Sequence, residues 1–108
     1  MKLLSINYIP GQEIEALGMV KGTIVQTKNV GRDFMARMKT LVGGEITGYT
    51  QMLNEARQIA IKRMVDEAKE LGADAVIDIK YGSSQIMAGA AEVIAYGTAV
   101  KYIEKQGM

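Results

Sequence analysis

Cysteine and histidine are both missing from this 108-residue chain. Without cysteine there are no disulfides, no thiolate metal sites and no thiol nucleophiles. Without histidine the commonest general base and the commonest ligand of borderline metals are gone as well. Tryptophan is absent, and there is one phenylalanine. The core must therefore be built from Ala, Val, Ile and Met, which bury less area per residue than aromatics do. No apolar run approaches the roughly 18 residues that a membrane-spanning helix needs. The first residues, Met1-Lys2-Leu3-Leu4-Ser5-Ile6-Asn7-Tyr8, carry neither the long apolar stretch nor the small-residue cleavage site of a signal peptide, so the cytoplasm is the expected location. No excess of one charge is present either. Thirteen Lys and Arg face twelve Asp and Glu, a net charge of +1. That balance gives no electrostatic reason to bind nucleic acid or an anionic membrane.

What is present is an ordinary globular composition, 48% apolar and 23% charged. The length suits one domain, residues 1–108, able to bury roughly two thirds of its unfolded surface. Six elements are expected, in the order β-β-α-α-β-β, giving an α+β fold with a small antiparallel sheet packed against one long and one short helix. Residues 3–8 predict a strand with Leu4, Ile6 and Tyr8 on one face, ended by Pro10-Gly11. Met19 to Val30 predicts a second strand, in which Gly22 marks a bulge or a close backbone approach. A short helix is expected over about Arg32 to Val42, with Asn29 as N-cap and Gly43-Gly44 as stop.

Tyr49 to Leu71 is the clearest helix. Met52, Ala56, Ile59, Ala60, Met64, Ala68 and Leu71 form its apolar stripe, and Gly72 takes the C′ position. Lys62 with Asp66, and Arg63 with Glu67, are i,i+4 pairs. About 23 residues would span roughly 35 Å, enough to reach beyond a small sheet toward a neighbouring subunit. Two strands follow. In the first, Ala75, Ile77, Ile79 and Tyr81 share a face opposite Asp78 and Lys80, and Gly82-Ser83-Ser84 opens a loop. The second, about Ala90 to Tyr102, alternates small residues (Ala91, Val93, Ala95, Gly97, Ala99) with larger ones (Ile94, Tyr96, Thr98, Val100). The small face would admit a helix or another chain at close range.

An ordered set of short motifs runs through the chain. It comprises Ile9-Pro10-Gly11, Leu17-Gly18-Met19-Val20-Lys21-Gly22, Arg32-Asp33, Val42-Gly43-Gly44, Gly48-Tyr49, Glu55-Ala56-Arg57, Leu71-Gly72-Ala73-Asp74-Ala75-Val76 and Gly97-Thr98-Ala99-Val100. In this the chain resembles the YbjQ-like family, over nearly its whole length. The resemblance implies an α+β fold related to the dodecin subunit and a ring-like homopentamer. The family is sometimes labelled heavy-metal-binding, and the resemblance brings no catalytic residues with it.

Soft metals fit this chain poorly. Of its eight Met, Met35, Met38, Met52 and Met64 lie on helix faces as core filler, and Met1 and Met108 are termini. No calcium-binding loop surrounds Glu13 and Glu15. Ser83-Ser84 lacks the setting of a serine nucleophile. Asp74, Asp78 and Glu92 would act as acids or bases only if folding brought two together. The remaining polar candidates gather at the helix starts: Arg32, Asp33, Gly43, Gly44, Tyr49 and Arg57, as an anion-holding ligand site or as interface residues. Capping and turns account for the same residues. No catalytic residue, cofactor or metal ligand is assigned. The expected protein is a non-enzymatic homo-oligomer, pentamer preferred, acting as scaffold or small-ligand-binding module. The alternative is a carboxylate-based metal site at subunit interfaces.

Overall fold

Strand β4, Ala90–Tyr102, is the spine of the molecule, because both of its edges are occupied. The computed structural model describes residues 1–27, 47–87 and 89–104. Along β4, Ala91, Val93, Ala95, Gly97 and Ala99 are buried while Glu92, Ile94, Tyr96 and Thr98 are half-buried, so the alternation read from the sequence is the one observed. Strand β2, Ile14–Thr27, pairs antiparallel on one side, and β3, Ala75–Met87, on the other. The two-residue strand β1, Lys2–Leu3, runs parallel to β3, giving a mixed four-stranded sheet of order β1-β3-β4-β2. The wholly antiparallel sheet expected from the sequence is corrected at this edge.

Helix α1, Thr47–Glu70, lies across one face of the sheet, mainly over β2 and β4. Its stripe of Ala56, Ala60, Met64 and Ala68 packs on Val20, Val76, Val93, Ala95 and Ala99 to form the main core. Small residues on both surfaces let the two backbones approach closely. A Schellman motif ends the helix: Ala73 N–H donates to Ala68 O and Gly72 N–H to Lys69 O, each at 3.0 Å, with Gly72 at φ +77°. The expected short helix at 32–42 lies outside the described residues.

Three expectations about the strands change. Residues 4–9 do not continue β1, because β3 bulges beside them. Asp78 and Ile79 together face one residue of β4, Gly97, with Asp78 at φ +53°. The two bulge amides bond the N-terminal segment on the β1 side of β3, Asp78 N–H donating to Ile6 O (2.8 Å) and Ile79 N–H to Leu4 O (3.1 Å). The N-terminal segment thus serves the bulge, with Leu4 and Ile9 packed inward and Ile6 and Tyr8 exposed. The same bulge divides the expected face of β3. Ala75 and Ile77 pack under Ile9 on the side away from α1, whereas Ile79 packs into the helix-side core. Finally, Gly82-Ser83-Ser84 is strand, paired with Ile94, Val93 and Glu92, and β3 runs on to Met87. A loop was expected there because Gly and Ser are weak strand formers, but the ladder to β4 supplies the pairing.

Strand β2 starts five residues earlier than Met19, because Gly18 allows a bulge at φ +144° between Ala16 and itself. Its Gly22 is a close-approach glycine. A Cβ there would lie 2.0 Å from Ala60 O and 2.5 Å from Met64 N, inside the backbone of α1.

Candidate functional site

The sequence candidates divide sharply. Arg32, Asp33, Gly43 and Gly44 lie outside the described residues, and Tyr49 is placed only as a first-turn position of α1. Arg57 is half-buried in the helix, and its Nη1 donates to Asn54 Oδ1 of the same turn at 2.8 Å. That bond uses one of the five guanidinium N–H donors.

The carboxylates are not convergent. Asp74 sits at the start of β3, where its N–H donates to Val100 O (2.9 Å) and its Oδ2 accepts the Tyr102 N–H (2.8 Å). It closes the strand ends. Glu92 lies opposite Ser84 near the other end of the β3–β4 hairpin, ten residues along β4 from Tyr102 and so about 33 Å away. Asp78 occupies the bulge between them and pairs loosely with Lys80 at 3.5 Å. Ser83 and Ser84, being consecutive in a strand, project to opposite faces, which rules out a joint role for the tandem. Ser84, Glu92 and Ile94 border a shallow recess of about 160 Å³.

A larger open groove of about 600 Å³ lies at the opposite end, between the Gly11 turn and the end of β4. Most of its polar groups are engaged in building it. Gln12 Nε2 donates to Glu13 O (3.0 Å) and Ile103 O (3.4 Å), and Lys101 Nζ donates to Gly72 O (3.2 Å) at the C-terminal end of α1. There the lysine also complements the helix dipole. The groove is therefore a polar seam between strand ends, bordered by the Glu13 and Glu104 side chains.

The surface that sequence reasoning missed is the face of the sheet turned away from α1. Along β2, Met19, Lys21, Thr23 and Val25 lie on it, opposite Thr98, Tyr96, Ile94 and Glu92 of β4. Met19 is 76% and Val25 55% exposed, and Tyr96 and Ile94 lie half-buried between the flanking strands. The N-terminal segment covers this face only near Ala75, Ile77 and Val100. The signal was present in the sequence, since β2 carries apolar residues on both faces.

In class, then, this is an α+β domain: a long helix on one side of a mixed sheet whose other side is, among the described residues, partly open. The same fold is seen in the crystal structure of a protein of unknown function from Pediococcus pentosaceus, with a TM-score of 0.63 over 95% of this chain and 98% of that one, at 18% identity. The chain belongs to the YbjQ family, described as "Putative heavy-metal-binding", whose profile matches residues 1–103. It is 60% identical over 103 residues to a UPF0145 protein of Clostridium novyi, covering 95% of this chain and all of that one. It is 57% identical over 102 residues to a UPF0145 protein of Thermotoga maritima, covering 94% and 96%. The donor set does not fit the soft metals that the description implies. The chain has neither Cys nor His, and among the described residues no three Asp or Glu gather as a cation site.

Proposed function

We propose that the chain acts as a non-enzymatic homo-oligomer, a scaffold or small-ligand-binding module assembled from identical subunits. Five copies is the number implied by its family resemblance. The observation that carries this reading is the open face of the sheet. Met19 and Val25 stand exposed on it, beside Tyr96 and Ile94, with Lys21, Lys80 and Glu92 interspersed. A sheet with an apolar patch on its second face gains stability by covering it, and polar residues around such a patch fit an interface rim. The need is greater here because five of the nine buried residues in the main core are alanine. Symmetric copies would also repeat any cleft between subunits, which is where a ligand site would form.

Light scattering on the untagged protein tests the reading. The expected mass is a multiple of the 11.7 kDa chain, with five preferred. Met19→Glu should lower that mass while the circular dichroism of the fold is retained. A monomer at high micromolar concentration would overturn the proposal. The second reading, a carboxylate metal site shared between subunits, is favoured only by the exposed Glu13 and Glu104 at the strand-end groove. A saturable, stoichiometric isotherm for a hard divalent cation would support it.

A further inference from the structure

Among the described residues, no strand pairs with the outer edge of β2, which is 14 residues long. Such an edge is a template for strand addition. Which backbone groups it presents follows from the ladder. Ile103 N–H donates to Glu13 O across to β2 (3.0 Å), so the odd-numbered residues of β4 turn their backbone groups toward β2. With the register Gly18↔Ala99 through Gln26↔Ala91, the even-numbered residues of β2 bond β4. Met19, Lys21, Thr23, Val25 and Thr27 therefore direct their N–H and C=O groups outward.

One of these outward carbonyls is taken. Arg63 Nη1 of helix α1 donates to Thr23 O at 2.7 Å. The sequence pairs Arg63 with Glu67, but the structure sends it over the sheet edge instead. Gly22 makes that reach possible. Its missing Cβ would lie 2.8 Å from Arg63 Cβ, so the stem of the arginine starts directly above the strand, one residue from Thr23.

We infer that Arg63 guards the free edge of β2 against addition of a strand from a second copy of this chain. The guanidinium covers the middle of the edge and uses an acceptor that an incoming strand needs. Toward the C-terminus Val25 and Thr27 remain outward; toward the N-terminus Met19 and Lys21 do, and beyond the Gly18 bulge, where the parity reverses, Ile14 and Ala16, so the bulge and Arg63 together divide the edge into three short pieces. Each piece spans about three residues of chain, against about 5–6 for a usual strand, which is too little for a stable ladder. The inference goes beyond the assembly reading, which uses the face of the sheet and not this edge.

The test compares Arg63→Met with Lys62→Met on the full chain. Both add the same apolar side chain to the helix surface and remove one positive charge, but only the first uncovers Thr23 O. Arg63→Lys keeps a donor, and Arg63→Gln is too short to reach. Each variant is held below its own unfolding midpoint and followed by light scattering and a β-aggregate dye. The expected result is higher-mass, β-rich species forming severalfold faster in R63M and R63Q than in K62M, with R63K close to wild type. Equal rates in R63M and K62M, or R63K as fast as R63M, would overturn the guard. The wild-type mass itself reports only on the assembly reading, so the two proposals fail separately.

Discussion

Gly22 and Gly97 share a residue type but answer to different neighbours. At Gly22 the obstacle is the helix: Ala60 O and Met64 N occupy the place of a side chain. Backbone cannot rotate away as a side chain can, so Gly22→Ala should cost about 3 kcal/mol or more by forcing α1 off the sheet. At Gly97 the obstacle is the bulged strand. A Cβ would meet Ile77 O and Val76 Cγ1 at 2.8 Å and Ile79 Cγ1 at 3.1 Å. Gly97→Val, although better in strand propensity, should therefore destabilise by about 1–3 kcal/mol. Both contacts lie within one subunit, so thermal unfolding should show lowered midpoints while light scattering shows an unchanged mass for whatever remains folded. A Gly97→Val protein as stable as wild type would contradict the packing described.

Charge at the residue scale has one measurable consequence. The hydrogen bond from Lys62 to Asp66, 2.9 Å long, holds the Asp66 carboxyl below its ordinary value of 3.8, aided by the charges of Lys62 and Lys69. A depressed carboxylate stabilises the fold above its unfolded pKa, and that contribution is lost as pH falls through the folded one. The effect is thus confined to pH below about 4, and for so exposed a pair it is small. In an NMR titration the Asp66 midpoint should fall below 3.8, and Lys62→Ala should raise it.

At the scale of elements, the bulge in β3 explains most of what differs from the sequence pattern. Asp78 adopts φ +53°, a conformation that Asp tolerates better than β-branched residues do. Asp78→Gly should be tolerated within about 1 kcal/mol, and Asp78→Ile should lose about 1–2 kcal/mol, read by denaturant midpoints. If Ile were tolerated as well as Gly, the backbone at 78 would not be left-handed. The long helix and the last strand, by contrast, were legible in the sequence nearly to the residue. Their periodicities of 3.6 and 2 are local, and the residues facing the core obey them over many positions. The bulge was not legible, because the alternation Ala75, Ile77, Ile79, Tyr81 is the same with or without it. Only the ladder with β4 shows that Ile79 has changed sides.

At the scale of the whole molecule, the metal question turns on donors more than on shape, and neither thiolate nor imidazole is among them. Soft cations take thiolate or thioether and borderline ones favour imidazole, and carboxylates alone hold them weakly unless several converge. Titration of untagged protein with Zn²⁺ should give no saturable isotherm. A tight, stoichiometric one would mean that carboxylates from different subunits meet on assembly. The exposed Met19 and Val25 bear on shape: among the described residues, one side of the sheet is partly uncovered.

The sequence by itself determined which chemistry is out of reach, since missing Cys and His cannot be supplied by folding. It also determined the two elements with long, regular periodicity, α1 and β4, and the glycine that ends the helix at 72. Tertiary structure decided the parallel pairing of β1, the bulges at Gly18 and Asp78, the extension of β3 through Ser83 and Ser84, and the turn of Arg63 from Glu67 to Thr23. The physical reason is the range of the interactions. Periodicity and backbone freedom are properties of neighbouring residues, whereas strand register and the partner of a long side chain depend on segments far apart in the chain.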